Sequence, residues 1–190
     1  MELLPMAMAG EFLACGQGHA DNVAPALLGG FVLIRSYEPL DVIKLHTPPQ
    51  LVCSLVYPHI EVQTRDARRI IRKLVPLADA VVQWGNVAGL VSGLYREDYA
   101  LISRSMQDVL IEPVRSILIP EFARLKELAL EAGALGFGIS GSGPSVFALS
   151  RDADTASRVS RLLGDHLRQL DIASDTFVSA INPLGPRILD

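Results

Sequence analysis

The 190-residue chain is poor in cysteine, in positive charge and in long apolar runs, and each scarcity excludes a class of protein. Its two cysteines, Cys15 and Cys53, cannot form a disulfide framework and lack the spacing of zinc ligands. The net charge of −4 disfavours a nucleic-acid surface, which normally carries a basic excess. No run approaches the ~20 apolar residues of a transmembrane helix, and the Met-Glu start does not resemble a secretory signal. We therefore expect a cytoplasmic protein that binds neither nucleic acid nor membrane.

Apolar residues make up 49% of the chain, enough for a sizeable core, and they fall into strand-like and helix-like segments. Strands are predicted at residues 31–35, 42–46, 51–57, 145–149 and 176–181. Helices are predicted at residues 3–15, 65–73, 77–94, 97–107, 112–117, 120–132 and 155–170. Strands and helices do not alternate strictly, so the pattern predicts an α+β fold.

The most distinctive segment is residues 136–144, Gly-Phe-Gly-Ile-Ser-Gly-Ser-Gly-Pro. Glycine lets the backbone approach a ligand closely, and consecutive N–H groups in such a segment can bind an anion. Residues 136–141 also match G-x-G-x-x-G, but that dinucleotide motif needs a strand before it and a helix after it. Here a helical pattern precedes and β-favouring residues follow. The remaining alternatives are a loop that binds phosphate or carboxylate and a plain turn between two strands.

A second polar segment lies near the start, where residues 16–30 read Gly-Gln-Gly-His-Ala-Asp-Asn-Val-Ala-Pro-Ala-Leu-Leu-Gly-Gly. His19, Asp21 and Asn22 are close together in the sequence. They precede a stretch of small and apolar residues that ends in two glycines. From the residues alone, a helix cap by Asp21 or Asn22 explains them as well as an active-site turn does. Glu11, eight residues before His19, is equally consistent with a solvent-facing helix residue.

Taken together, residues 19–30 and 138–144 resemble the homoserine kinases of the GHMP small-molecule kinase superfamily. The similarity continues through residues 64–68, Thr-Arg-Asp-Ala-Arg, and residues 112–115, Glu-Pro-Val-Arg. It covers essentially the whole chain in the right order. The resemblance implies ATP- and Mg²⁺-dependent phosphorylation of L-homoserine to O-phospho-L-homoserine, a step of threonine biosynthesis.

The resemblance also implies roles for the polar residues near the start. His19 and Asp21 would bind the amino-acid substrate, and Asn22 would orient the attacking hydroxyl. An amide cannot accept a proton as a base does, so Asp21 is the candidate if a weak base is needed. Glu11 would help to hold Mg²⁺, a hard cation that uses one or two carboxylates together with phosphate oxygens.

Two arginines match the substrate-binding arginines of the family, Arg68 and Arg115. Homoserine carries a carboxylate, which a guanidinium group binds through two parallel hydrogen bonds. The glycine-rich segment would line the cleft beside the ATP phosphates and shape it, without being the main phosphate grip. Its residues in that role are Gly138, Ser140, Gly141, Ser142 and Gly143.

These 190 residues depart from the family in one respect, because they do not contain the principal phosphate loop, of the type Pro-x-x-x-Gly-Leu-Gly-Ser-Ser-Ala. The segment that supplies adenine contacts is not among them either. We therefore expect residues 1–48 to be the C-terminal part of the N-terminal, ATP-binding GHMP kinase domain. Residues 49–190 would be the complete C-terminal domain, ferredoxin-like in architecture.

Two expectations follow from this division. The chain should be inactive by itself, and it should form a homodimer, because strands in residues 1–48 would leave unpaired edges and apolar surface. Two other functions remain open on the sequence. One is a non-catalytic, ferredoxin-like module that binds an amino acid, and the other is an interaction protein that uses the apolar surface of residues 1–48.

Overall fold

A computed structural model describes residues 3–16, 18–61 and 70–187, and the chain divides into two compact units. The first unit comprises Met1–Thr47 together with Ile181–Asp190, and the second comprises Pro48–Ala180. The sequence-based division put everything after residue 48 into one domain, whereas residues 181–187 pack with the first unit. That the two units correspond to the two GHMP kinase domains stays a prediction.

The first unit consists of two helices and a two-stranded antiparallel sheet. Its elements are α1 (Leu3–Cys15), α2 (Ala20–Leu28), β1 (Val32–Tyr37) and β2 (Leu40–Lys44). Leu4, Ala24 and Val42 are buried at its centre, one from each of α1, α2 and β2. The strands predicted at 31–35 and 42–46 are therefore present and pair with each other.

Residues 181–187 pack against the rest of this unit at Gly29 and Gly30. Gly30 N–H donates a hydrogen bond to the carbonyl oxygen of Asn182 at 2.8 Å. Gly29 has a φ of +69°, and a Cβ there would lie 2.3 Å from the nitrogen of Gly185. Only glycine permits so close an approach of two backbone segments.

The second unit is built on a four-stranded antiparallel sheet. Its strands are β3 (Val52–Pro58), β4 (Gly136–Ile139), β5 (Val146–Ser150) and β6 (Ser174–Ala180), in the spatial order β4-β5-β3-β6. Its helices are α3 (Leu77–Arg96), α4 (Tyr99–Ser105), α5 (Glu112–Arg115), α6 (Phe122–Glu131) and α7 (Ala153–Gln169). The order of strands and helices along the chain, with this order in space, is the ferredoxin-like arrangement. The predicted α+β class is confirmed.

The main core lies where α6 and α7 pack on one face of this sheet. Phe137 on β4 is only 2% exposed, and its ring centroid lies 5.3 Å from that of Phe122 on α6. Leu163 and Leu167 on α7 are four residues apart and fully buried, as the helical spacing predicted. Ser54 on β3, also fully buried, satisfies its hydroxyl by donating to the carbonyl oxygen of Ala156 at 2.8 Å.

Two predicted elements differ from the structure. Residues 136–139 were not among the predicted strands, although a turn between two strands was one of the alternatives left open for this segment; they form β4, which pairs with β5. Glycine lowers strand propensity, yet Gly136 is required there, because a Cβ would lie 2.6 Å from the Met106 side chain. The helix predicted at residues 65–73 lies mostly outside the described residues, and its described part, residues 70–73, is not helical. No described helix is long and apolar enough to cross a membrane.

Candidate functional site

The glycine-rich segment is a β-hairpin, with its turn between the end of β4 and the start of β5. Ser140 N–H donates to the carbonyl oxygen of Ser145 at 2.8 Å, and Gly143 N–H donates to that of Ser140 at 3.0 Å. Gly141 and Gly143 have φ values of +59° and +79°, a conformation that favours glycine. The dinucleotide motif is excluded because a strand, not a helix, follows the turn.

A cavity of about 410 Å³ lies beside this turn, entirely within the second unit. It is lined on one side by the hairpin, including Gly138, Gly141 and Phe147, and on the other by α3 and the segment that leads into α5. Its polar lining side chains are Gln83, Asn86, Ser105, Gln107, Asp108, Glu112 and Arg115. A partly apolar cavity with a few convergent polar groups is typical of a small-molecule site.

Arg115 joins the cavity to the glycine-rich turn. It is the last residue of α5, it is half-buried, and its Nη1 donates a hydrogen bond to the carbonyl oxygen of Gly141 at 2.9 Å. The structure thus brings together three of the residues singled out in the sequence, Arg115, Gly138 and Gly141. Ser140, Ser142 and Gly143 belong to the same turn but do not line the cavity.

Asp108 and Glu112 are pocket residues that the sequence analysis missed. The Asp108 carboxylate accepts hydrogen bonds from the backbone N–H groups of residues 110, 111 and 112 at the start of α5. Glu112 forms an ion pair with Lys126 on α6, and both side chains are largely buried. An acidic residue a few positions before Glu-Pro is the one signal that would have suggested the Asp108 cap.

His19, Asp21 and Asn22 lie at the start of α2, in the first unit. His19 occupies the N-cap position without a side-chain capping bond, and Asp21 and Asn22 lie in the first helical turn, exposed. The helix-cap alternative for Asp21 or Asn22 is therefore wrong. The Nδ1 atom of His19 lies 3.8 Å from Oδ1 of Asp21, close enough for an ion pair when the imidazole is protonated.

Tyr37 at the end of β1 is a further neighbour of this group that the sequence did not reveal. Its hydroxyl donates to Oδ1 of Asp21 at 3.4 Å. Burial and, second, the negative charge of Asp21 raise the pKa of the Tyr37 phenol above its usual value. The phenol therefore stays protonated near neutral pH and serves as a donor to the carboxylate.

Glu11 is the only charged residue of α1, and its side chain is half-buried. Beyond the end of this helix, Gly18 packs closely on α1, since a Cβ there would lie 3.1 Å from the carbonyl oxygen of Met8. Among the described residues there is no group of three or more His, Cys, Asp or Glu that could hold a metal ion. Glu11 thus offers a single carboxylate ligand. Arg68 lies outside the described residues.

Comparison with known proteins identifies the family. The family described as GHMP kinases C terminal matches residues 90–169. Homoserine kinase of Chloroherpeton thalassium is 52% identical over 190 residues, which is all of this chain and 60% of that protein. Homoserine kinase of Thermococcus gammatolerans is 37% identical over 177 residues, covering 93% of this chain and 59% of that protein.

Solved structures agree with the sequence comparisons. The crystal structure of homoserine kinase from Cytophaga hutchinsonii superposes with a TM-score of 0.96 at 56% identity, over 98% of this chain and 59% of that one. A mevalonate kinase structure at 12% identity and a TM-score of 0.64 shares the fold alone. This chain spans about 60% of the length of the homoserine kinases it matches. It belongs to the GHMP kinase family and corresponds to the C-terminal portion of proteins named homoserine kinase.

Proposed function

We propose that this chain is the acceptor-binding portion of a homoserine kinase, which transfers the γ-phosphoryl group of ATP to the hydroxyl of L-homoserine. The observation that carries the proposal is the cavity lined jointly by Arg115 and the glycine-rich turn. It occurs in a chain that is similar over its full length to homoserine kinases. The product would be O-phospho-L-homoserine.

Arg115 is the residue proposed to bind the carboxylate of the amino acid. It stands at the cavity, and a guanidinium group binds a carboxylate with charge-assisted hydrogen bonds that an uncharged ligand cannot form. The hydrogen bond to Gly141 holds one arm of the guanidinium group and so restricts its orientation. Arg68 is proposed as the second carboxylate ligand, on the family resemblance alone.

The residues at the start of α2 are proposed to contact the other groups of the acceptor. His19 and Asp21 would bind the amino acid, and Asn22 would orient its hydroxyl. Phosphoryl transfer passes through a loose transition state and depends mainly on positioning and charge stabilisation. A strong base is therefore unnecessary, and Asp21 suffices if a proton has to be accepted.

Fewer residues of this chain are proposed to bind the nucleotide and its cation. ATP with Mg²⁺ supplies the phosphoryl group when bound, and Glu11 is proposed as one carboxylate ligand of the cation. In the glycine-rich turn, the N–H groups of Ser140 and Gly143 already donate to backbone carbonyls. The turn is therefore suited to shaping the site beside the phosphates more than to gripping them.

Titration of this chain with L-homoserine, followed by NMR, tests the acceptor role. We expect shifts at the Arg115 side chain and at the Gly141 amide, because Arg115 contacts both the carboxylate and the turn. The matched control ligand is 2-amino-1,4-butanediol, in which the carboxylate is reduced to an alcohol. Equal shifts with both ligands, or none with homoserine at tens of millimolar, would contradict the assignment.

We further propose that the chain forms a homodimer through the first unit. A two-stranded sheet is marginal by itself, and α1 exposes Met6, Phe12 and Leu13 at 71%, 58% and 87%. Light scattering should give a dimer for the wild type and a monomer for the double variant Phe12→Asp with Leu13→Asp. Leu74→Asp is the matched control, since Leu74 is 88% exposed in the second unit. A wild-type monomer at high concentration would refute the dimer, and loss of the dimer in the Leu74 variant would refute its location.

A further inference from the structure

The helix that carries Arg115 is too short to hold itself in place. α5 contains four residues, Glu112–Arg115, and only a 3-10 turn, Ser116–Leu118, follows it directly. Forming a first helical turn is unfavourable, because several backbone dihedrals are fixed for one hydrogen bond. The position of Arg115 must therefore be set in part by contacts outside α5, among them those made before the helix begins.

Asp108 supplies those contacts with both of its carboxylate oxygens. Oδ1 accepts from the N–H groups of Leu110 at 2.9 Å and Ile111 at 2.8 Å, and Oδ2 accepts from that of Glu112 at 3.1 Å. The last two are among the backbone donors that a helix start leaves without partners inside the helix, since Ile111 is the N-cap residue of α5. The carboxylate thus fixes both the start and the orientation of α5.

The residues on either side of Asp108 are fixed in turn to the long helix α3. Gln83 accepts a hydrogen bond from Val109 N–H through Oε1 at 3.0 Å. Asn86 donates from Nδ2 to the carbonyl oxygen of Gln107 at 2.9 Å. Gln83 and Asn86 are three residues apart, so they project from the same face of α3. Hydrogen bonds to α3 therefore fix the backbone on both sides of Asp108.

The contacts run continuously from α3 through Asp108 and α5 to Arg115 and the glycine-rich turn. We propose that Asp108 is a positioning residue for Arg115: it holds α5 so that the guanidinium group lies at the cavity and donates to the carbonyl oxygen of Gly141. Asp108 touches neither substrate nor nucleotide in this role. Its consequence for homoserine binding rests on the proposed function, but its effect on the turn does not.

The chemistry of the carboxylate makes the proposal testable with a graded pair of variants. Asp108→Asn keeps one oxygen, which can still accept from residues 110 and 111, but its amide nitrogen cannot accept from Glu112 N–H. Asp108→Ala loses all of these acceptors. The matched control is Asp152→Ala, because Asp152 caps α7 by accepting from Thr155 N–H at 2.7 Å, within the first turn of a different helix.

Amide hydrogen exchange and NMR of the whole chain provide the measurement. In Asp108→Ala we expect the Gly143 amide to exchange about tenfold faster than in the wild type, and the Arg115 Nε–H resonance to shift towards that of free arginine. Asp108→Asn should be intermediate, and Asp152→Ala should leave both signals unchanged. Homoserine-induced shifts should weaken in the same order.

Each outcome decides the proposal. If Asp108→Ala is folded and its Arg115 and Gly143 signals match the wild type, the positioning role is wrong. If that variant does not fold, Asp108→Asn decides in the same way. If Asp108→Ala changes the Arg115 and Gly143 signals as expected but the wild type does not bind homoserine, the positioning role stands and the proposed function fails.

Discussion

The 190-residue chain, supplied with ATP, Mg²⁺ and L-homoserine, is expected to form ADP no faster than a blank without enzyme. In phosphoryl transfer, nearly all of the rate enhancement comes from in-line positioning of the phosphates and neutralisation of their charge. The Pro-x-x-x-Gly-Leu-Gly-Ser-Ser-Ala type of phosphate loop is not among these residues. The glycine-rich turn does not replace it, because two of its N–H groups are already bonded within the hairpin.

The expected loss is large, since correct positioning alone is worth roughly 7–11 kcal/mol of the barrier. A coupled assay for ADP measures turnover, and calorimetry should detect no ATP binding. Homoserine binding should persist in the same preparation, which separates a missing phosphate site from a misfolded protein. Homoserine-dependent ADP formation that disappears in Arg115→Ala would show that this expectation is wrong.

Arg115→Ala should produce the second large effect, a loss of affinity for homoserine in an active enzyme. Such an enzyme is obtained by joining this chain to the part of the Chloroherpeton thalassium homoserine kinase that precedes the matched region. Loss of a buried, charged hydrogen bond to substrate costs roughly 2–4 kcal/mol, so KM for homoserine should rise by on the order of 30-fold or more. KM for ATP should change far less.

Two variants control this measurement. Arg115→Lys keeps the charge but loses the planar two-bond grip, so its KM for homoserine should lie between those of the wild type and the alanine variant. Arg124→Ala removes an exposed arginine paired with Glu127 on α6 and should be kinetically silent. An unchanged KM for homoserine in Arg115→Ala, or equal rises for homoserine and ATP, would remove Arg115 from the acceptor site.

Segments with a strong local signal could be predicted from the sequence. The helical spacing of apolar residues predicted α7, and the length of the apolar segment predicted α3. Turn residues between the strand-like segments marked the boundaries of β1, β2 and β3. β4 could not be predicted, because Gly136 and Gly138 carry no strand propensity. At Gly136 the absence of a side chain makes room for Met106, which is distant in the sequence.

The candidate site was predictable only in part, for a similar reason. The family resemblance identified Arg115 and the glycine-rich segment, but their hydrogen bond joins residues 26 positions apart. The Tyr37–Asp21 contact is likewise made by folding and leaves no local pattern. The return of residues 181–187 to the first unit depends on the close approach of Gly29 and Gly185, which the sequence does not reveal.

The identity of the product formed by the joined enzyme tests the central claim most directly. ATP, Mg²⁺ and an equimolar mixture of L-homoserine, L-serine and mevalonate are supplied together, and phosphorus NMR identifies the phosphorylated acceptor. We predict O-phospho-L-homoserine as the dominant product, because this chain supplies the proposed acceptor-binding residues, Arg115 among them. A folded, ATP-binding enzyme that phosphorylates mevalonate instead, or no acceptor at all, would contradict the proposal that this chain binds homoserine.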